Sequence, residues 1–87
     1  MKHIVLDCGF EADIDEAVLD DFELFDAIAA VEAGEILKGL PVVVEKILGK
    51  QKKAFYDFFR NEAGRVPMEQ ASAAIADLLQ QVPAAKN

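Results

Sequence analysis

Cysteine occurs once in these 87 residues, at Cys8, so no intramolecular disulfide can brace the chain. No apolar run approaches the ~20 residues that a membrane-spanning helix needs. At the N-terminus only Ile4-Val5-Leu6 separate Lys2-His3 from Asp7, too short a stretch for a secretory signal. A glycine-rich phosphate loop, a CxxC pair and an HExxH helix are all missing. So are internal repeats, low-complexity tracts and any linker long enough to divide domains. Basic residues are few as well. Nine lysines and arginines face sixteen aspartates and glutamates, for a formal net charge of −7, and an acidic body repels the phosphate backbone of a nucleic acid. These absences predict a cytoplasmic chain of one domain, without a nucleic-acid or membrane partner.

Apolar residues, by contrast, are plentiful. They make up 53% of the chain, and mean hydropathy is +0.16. A chain this short buries only about 60% of its unfolded surface, so part of that apolar content must face solvent or a partner. Apolar patches beyond a few hundred Å² usually mark association surfaces. Charge is also uneven. Residues 1–48 set twelve acids against Lys2, Lys38 and Lys46. Residues 49–87 set four acids against Lys50, Lys52, Lys53, Arg60, Arg65 and Lys86. Such asymmetry suits head-to-tail association between copies, although charge of this kind is more often just a solvated surface.

Along the chain, Ile4, Leu6, Cys8 and Phe10 alternate with Val5, Asp7, Gly9 and Glu11, the period of a strand. Asp7-Cys8-Gly9 also reads as a tight turn. A hairpin of residues 2–7 and 9–14 is therefore preferred over one continuous strand, and it must lean on helices. Asp20-Asp21-Phe22-Glu23 has the spacing of a capping box with Asp20 as N-cap; a helix over 21–33 follows, with Gly34 to end it. Residues 15–19 can add an earlier turn. Leu40-Pro41 predicts a second start and a helix over 41–48, stopped by Gly49. A third helical segment covers Lys50–Glu62, with Phe55, Phe58 and Phe59 at i, i+3, i+4. Pro67 opens a last helix bearing Ala71, Ala74, Ile75, Leu78, Leu79 and Val82. The expected fold is mainly α: an N-terminal hairpin or strand over 1–14 packed on a body of about four short helices over 15–82, with a tail at 83–87. Phe25 and Leu78, each central in its stripe, are expected in the core.

Little here can carry chemistry. His3 and Cys8 lack a third group to orient them as a nucleophile pair, and Cys8 reads better as a small buried hydrophobe. The acids Asp13, Asp15, Glu16, Asp20 and Asp21 lack the spacing and sharp-turn glycine of a calcium loop and suit helix capping instead. Lys50-Gln51-Lys52-Lys53 ahead of Phe55 and Tyr56 is too short a basic–aromatic cluster for single-stranded nucleic acid and reads as a solvated helix end. No catalytic, metal-binding or cofactor-binding residue is expected, and no enzyme activity. The helices with the widest apolar faces, 21–33 and 41–48, are the expected walls of a partner groove, with Phe22, Leu24, Ile28, Val31, Val43, Val44 and Ile47 as interface candidates.

Three blocks, in order, carry a resemblance. They are Asp20-Asp21-Phe22-Glu23-Leu24-Phe25, Leu40-Pro41 with Val42–Leu48 and Gly49, and Phe58-Phe59-Arg60-Asn61-Glu62-Ala63-Gly64-Arg65-Val66-Pro67. Together they resemble the small tail assembly chaperones of long-tailed bacteriophages and prophages, over roughly residues 3–82. Phe22 stands where tryptophan is the expected residue. The resemblance implies a non-catalytic protein of the bacterial host cytoplasm that binds and solubilises the tape-measure protein until tail-tube subunits displace it. It defines no residue contacts to carry over. The alternative is a small regulatory or adaptor helical module that binds one cellular protein partner.

Overall fold

In the computed structural model, which describes residues 1–84, a short antiparallel hairpin leans on four helices. Strands β1 (Lys2–Val5) and β2 (Glu11–Ile14) pair with Lys2 opposite Ile14, His3 opposite Asp13, Ile4 opposite Ala12 and Val5 opposite Glu11. That register puts Ile4, Ala12 and Ile14 on the buried face and His3, Asp13, Val5 and Glu11 on the outer one. The chain reverses over residues 7–9. Gly9 N–H donates to Leu6 C=O at 2.8 Å and Leu6 N–H to Phe10 C=O at 2.9 Å, with Gly9 at φ 101°, where a side chain would be strained. The hairpin reading is thus the one realised. Cys8, expected inside, is exposed, because the turn carries it to the tip instead of continuing the strand's alternation.

A 3-10 turn over Glu16–Leu19 precedes α1 (Phe22–Glu32). The N-cap of α1 is Asp21, not the expected Asp20: its carboxylate accepts from Glu23 N–H at 2.9 Å and Leu24 N–H at 3.3 Å. Asp20 instead closes the 3-10 turn, through its N–H to Ala17 C=O. With the cap one residue later, Glu23 falls at N2, outside the capping-box register.

The second helix, α2 (Ile36–Leu48), begins five residues before the expected start and holds Pro41 in its interior. Proline lacks the N–H that would bond the Leu37 carbonyl. Both Leu37 and Pro41 lie on the exposed side of α2, where water can supply the missing donor. Gly39, Val43, Val44, Ile47 and Leu48 are all buried, and their packing holds the helix through the proline.

The expected helix over Lys50–Glu62 is shorter: a 3-10 turn over Gly49–Gln51 leads into α3 (Lys52–Phe59), which ends where Arg60 turns extended. Asn61 stabilises the turn that follows, its side-chain oxygen accepting from Ala63 and Arg65 N–H. Helix α4 (Met68–Ala84) begins directly after Pro67 and continues past the expected end at 82, through Pro83. Of the expected tail, residues 85–87 lie outside the described residues.

One core joins all these elements. Hairpin residues Ile4, Leu6, Phe10 and Ile14 meet Leu24, Val43, Ile47, Phe55, Ile75, Leu78 and Val82 from the four helices. Phe10, just past the turn, sets its ring edge-on to Phe55 at 5.3 Å and Phe58 at 5.5 Å, which anchors the hairpin to α3. Two polar contacts add to this. Asp77 of α4 accepts from Asp7 N–H at 2.8 Å, and Gln51 exchanges two hydrogen bonds with the Asp13 backbone. Leu78 is fully buried as expected, but Phe25 is 65% exposed. Leu24 and Ala27 provide the inward side of α1, and Phe25 lies off that line, beside Phe22.

Candidate protein-binding site

Two apolar recesses, of about 250 and 520 Å³, share Ile36, Leu40, Ser72 and Ile75 and are lobes of one trough. It runs between α4 and the N-terminal half of α2. At one end it opens towards α1, with Ile28 and Val31 on its wall and Leu79 and Val82 opposite. At the other it reaches Tyr56, Val66 and Met68. The two ends are built differently. α1 and α2 pack tightly, with Gly39 against Ala27 and Val31, whereas α4 docks mainly on the hairpin and α3 and stands off from the other two helices. That gap is the trough.

Polar side chains on its wall are few: Tyr56, Ser72, Glu32 and Gln80. At its edges Ile36 is 42% exposed, Leu37 86% and Met68 63%. A trough with this lining can accept the apolar stripe of a helix, which docks through anchors at i, i+3 or i+4 and i+7.

The seven interface candidates divide. Ile28 and Val31 line the trough, half-buried. Phe22 is 83% exposed on the outer side of α1, its ring stacked on Phe25 at 5.9 Å. Leu24, Val43, Val44 and Ile47 are buried, and this corrects their expected place on a partner surface: they are the contact of α1 and α2 with the rest of the core. Of these, only Val44 also borders the trough floor. The expected walls, helices 21–33 and 41–48, accordingly face inward over most of α2. Beside Ile28 and Val31 of α1, the trough is built from Ile36, Leu37, Leu40 and α4 residues that the periodicity of α4 alone assigns wholly to core.

Several of the charged side chains pair within the chain. Lys46 of α2 reaches Asp21 at 3.0 Å and Glu23 at 3.1 Å; the hydrogen bond to Lys46 holds the Asp21 carboxyl below its ordinary range, and Asp21 in turn raises Lys46. Lys52 meets Glu45 at 2.6 Å and Lys53 meets Asp57 at 2.7 Å, so two members of the basic cluster are engaged within the chain. On the outer hairpin face His3 bridges two carboxylates, with Nδ1 to Asp13 at 2.8 Å and Nε2 to Glu11 at 2.7 Å. Both bonds favour the imidazolium and raise its pKa above 6.5, Asp13 most. The two nitrogens point to different carboxylates, a cross-strand clamp and not a convergent ligand set. Among the described residues no group of three or more His, Cys, Asp or Glu could hold a metal ion, and no helix is long and apolar enough to cross a membrane.

Comparison with family models, with curated proteins and with solved structures gives no match to this chain.

Proposed function

We propose that this protein is a non-catalytic holder of helical segments, acting as a tail assembly chaperone that keeps a tape-measure protein soluble during phage tail assembly. The observation that carries the reading is the trough between α2 and α4, apolar along its length and continuous with exposed Ile36, Leu37 and Met68. A long helical client presents many amphipathic segments. Each can bind such a trough weakly, and many sites along one client supply avidity without preventing later displacement by tube subunits. The block order described above supplies the phage context, and the trough supplies a physical means. The adaptor reading shares the trough but needs only one short partner segment.

Co-expression with the tape-measure-like product of a neighbouring gene tests the proposal. A client that becomes soluble and co-purifies with this chain supports it. A client equally soluble with and without the chain, and not retained by it, refutes it. Leu40→Asp places a charge in the trough; it should abolish co-purification while the circular dichroism spectrum of the free chain stays helical.

A further inference from the structure

From Ile4 to Leu37 the chain contains neither lysine nor arginine. The 3-10 turn, α1 and the residues around them carry Asp15, Glu16, Asp20, Asp21, Glu23, Asp26, Glu32 and Glu35. From elsewhere in the fold, Lys46 reaches Asp21 and Glu23, and Lys38 approaches Glu35 at 3.9 Å. The surface around α1 therefore remains strongly acidic after these pairings.

In the middle of it stand Phe22 and Phe25, their rings stacked and largely open to solvent. Two exposed phenylalanines contribute nothing to the core and cost solubility, so a role inside the isolated fold does not explain them. Phe22, Phe25 and Ile28 succeed one another at i, i+3 and i+6, neighbouring positions on a helix surface. Ile28 is already on the trough wall, as is Glu32. The aromatic pair does not line the trough itself; it stands on the exposed surface of α1 within two turns N-terminal of Ile28.

We infer that the segment held by this protein is a basic amphipathic helix, its apolar stripe in the trough and its lysines and arginines over Phe22, Phe25 and the acids of α1. The inference deepens the helix-holding reading and rests on it only for the trough. Charge complementarity selects this occupant. Cations gain from aromatic faces as well as from carboxylates, whereas an acidic helix would set like charges together. A second copy of this chain fits less well, because three of the basic side chains of its second half, Lys52, Lys53 and Arg60, and Lys46 just before it, already face acids in their own chain.

The test uses two fluorescein-labelled helical peptides with the same leucine stripe, one with lysine and arginine on its polar face and one with glutamate, titrated with the full chain and followed by anisotropy. The basic peptide should bind at least about tenfold more tightly, with the advantage shrinking as salt rises. Phe22→Ala with Phe25→Ala should weaken the basic peptide about tenfold while the thermal midpoint of the free chain is retained. Asp26→Lys with Glu32→Lys should invert the preference between peptides. Equal binding of the two peptides, or an unchanged affinity in the double phenylalanine variant, overturns the inference. So does a dimer in sedimentation that the phenylalanine variant dissolves, since the aromatic pair then belongs to a second copy. Failure of tape-measure co-expression with the peptide preference intact refutes the phage role alone; client retention without a preference refutes this inference alone.

Discussion

Gly39 lies inside α2, is buried, and packs close against the α1 backbone. A methyl placed there would fall well inside van der Waals contact distance of the Ala27 carbonyl oxygen, and would lie 2.8 Å from Val31 Cγ2 and 3.1 Å from Val31 N. Two effects of Gly39→Ala oppose each other. Alanine is the better helix former by ~0.8–1.0 kcal/mol. Overpacking costs ~1–3 kcal/mol, and the upper half of that range applies where the neighbour is backbone and cannot rotate away. The net expectation is a loss of about 1–2 kcal/mol. For a domain of this size each kcal/mol moves the thermal midpoint by about 4–8 °C, so a fall on the order of 5–15 °C is expected. Circular dichroism melts and urea denaturation of the two proteins measure it. A midpoint that rises would refute the reasoning, because it would leave only helix propensity acting and no close approach. Val31→Ala removes one of the three contacts, so it should cost less in the Gly39→Ala background than alone.

Phe25→Ala should leave stability within about 0.5 kcal/mol, as a substitution on an exposed side chain, whereas Leu78→Ala should cost about 2–5 kcal/mol; urea midpoints separate the two. His3, held above 6.5 by Asp13 and then Glu11, stabilises the hairpin fully below that value and loses the contribution as pH rises through its higher folded pKa. Hairpin hydrogen bonds should therefore open more readily across that window, with His3→Gln removing the dependence in amide chemical shifts. Asp77, held low by Gln81 and then by the Asp7 N–H, works in the opposite sense. The tie between turn and α4 should weaken as pH falls through its lowered pKa, and Asp77→Ala should speed exchange of the Asp7 amide at every pH.

The sequence announces elements wherever one residue decides the backbone. Gly9 turns the hairpin and Gly34 follows α1 in the left-handed region, both as read from glycine alone. Where two signals compete it misleads. Pro41 carries a strong local instruction to start a helix, but the buried row of Gly39, Val43, Val44, Ile47 and Leu48 extends the helix upstream, and only the fold shows that the proline faces water. Phe25 fails for a related reason. In α1 nearly every position is apolar, so periodicity cannot say which side turns inward, and the small Ala27 takes the place against α2 that a larger ring could not fill.

The same ambiguity explains why the trough is invisible in the sequence. Its walls are Ile36, Leu40, Ile75 and Leu79, residues that a helical repeat assigns to core. They form a recess because of where α4 is tethered. Asp77 bonds the hairpin turn, Leu78 and Val82 enter the core, and the rest of α4 is held off α1 and α2. A surplus of apolar residues in a small chain predicts that some surface must be sticky; only the tether decides which. If the trough is a binding site kept open at the expense of packing, filling it stabilises the free chain. Ser72→Leu, at the junction of the two lobes, should then raise the thermal midpoint and also block client binding. A variant that is more stable and no longer retains client is the outcome expected of a binding trough maintained at the expense of stability. One that is more stable and still binds would move the site elsewhere, to the outer face of α1 alone.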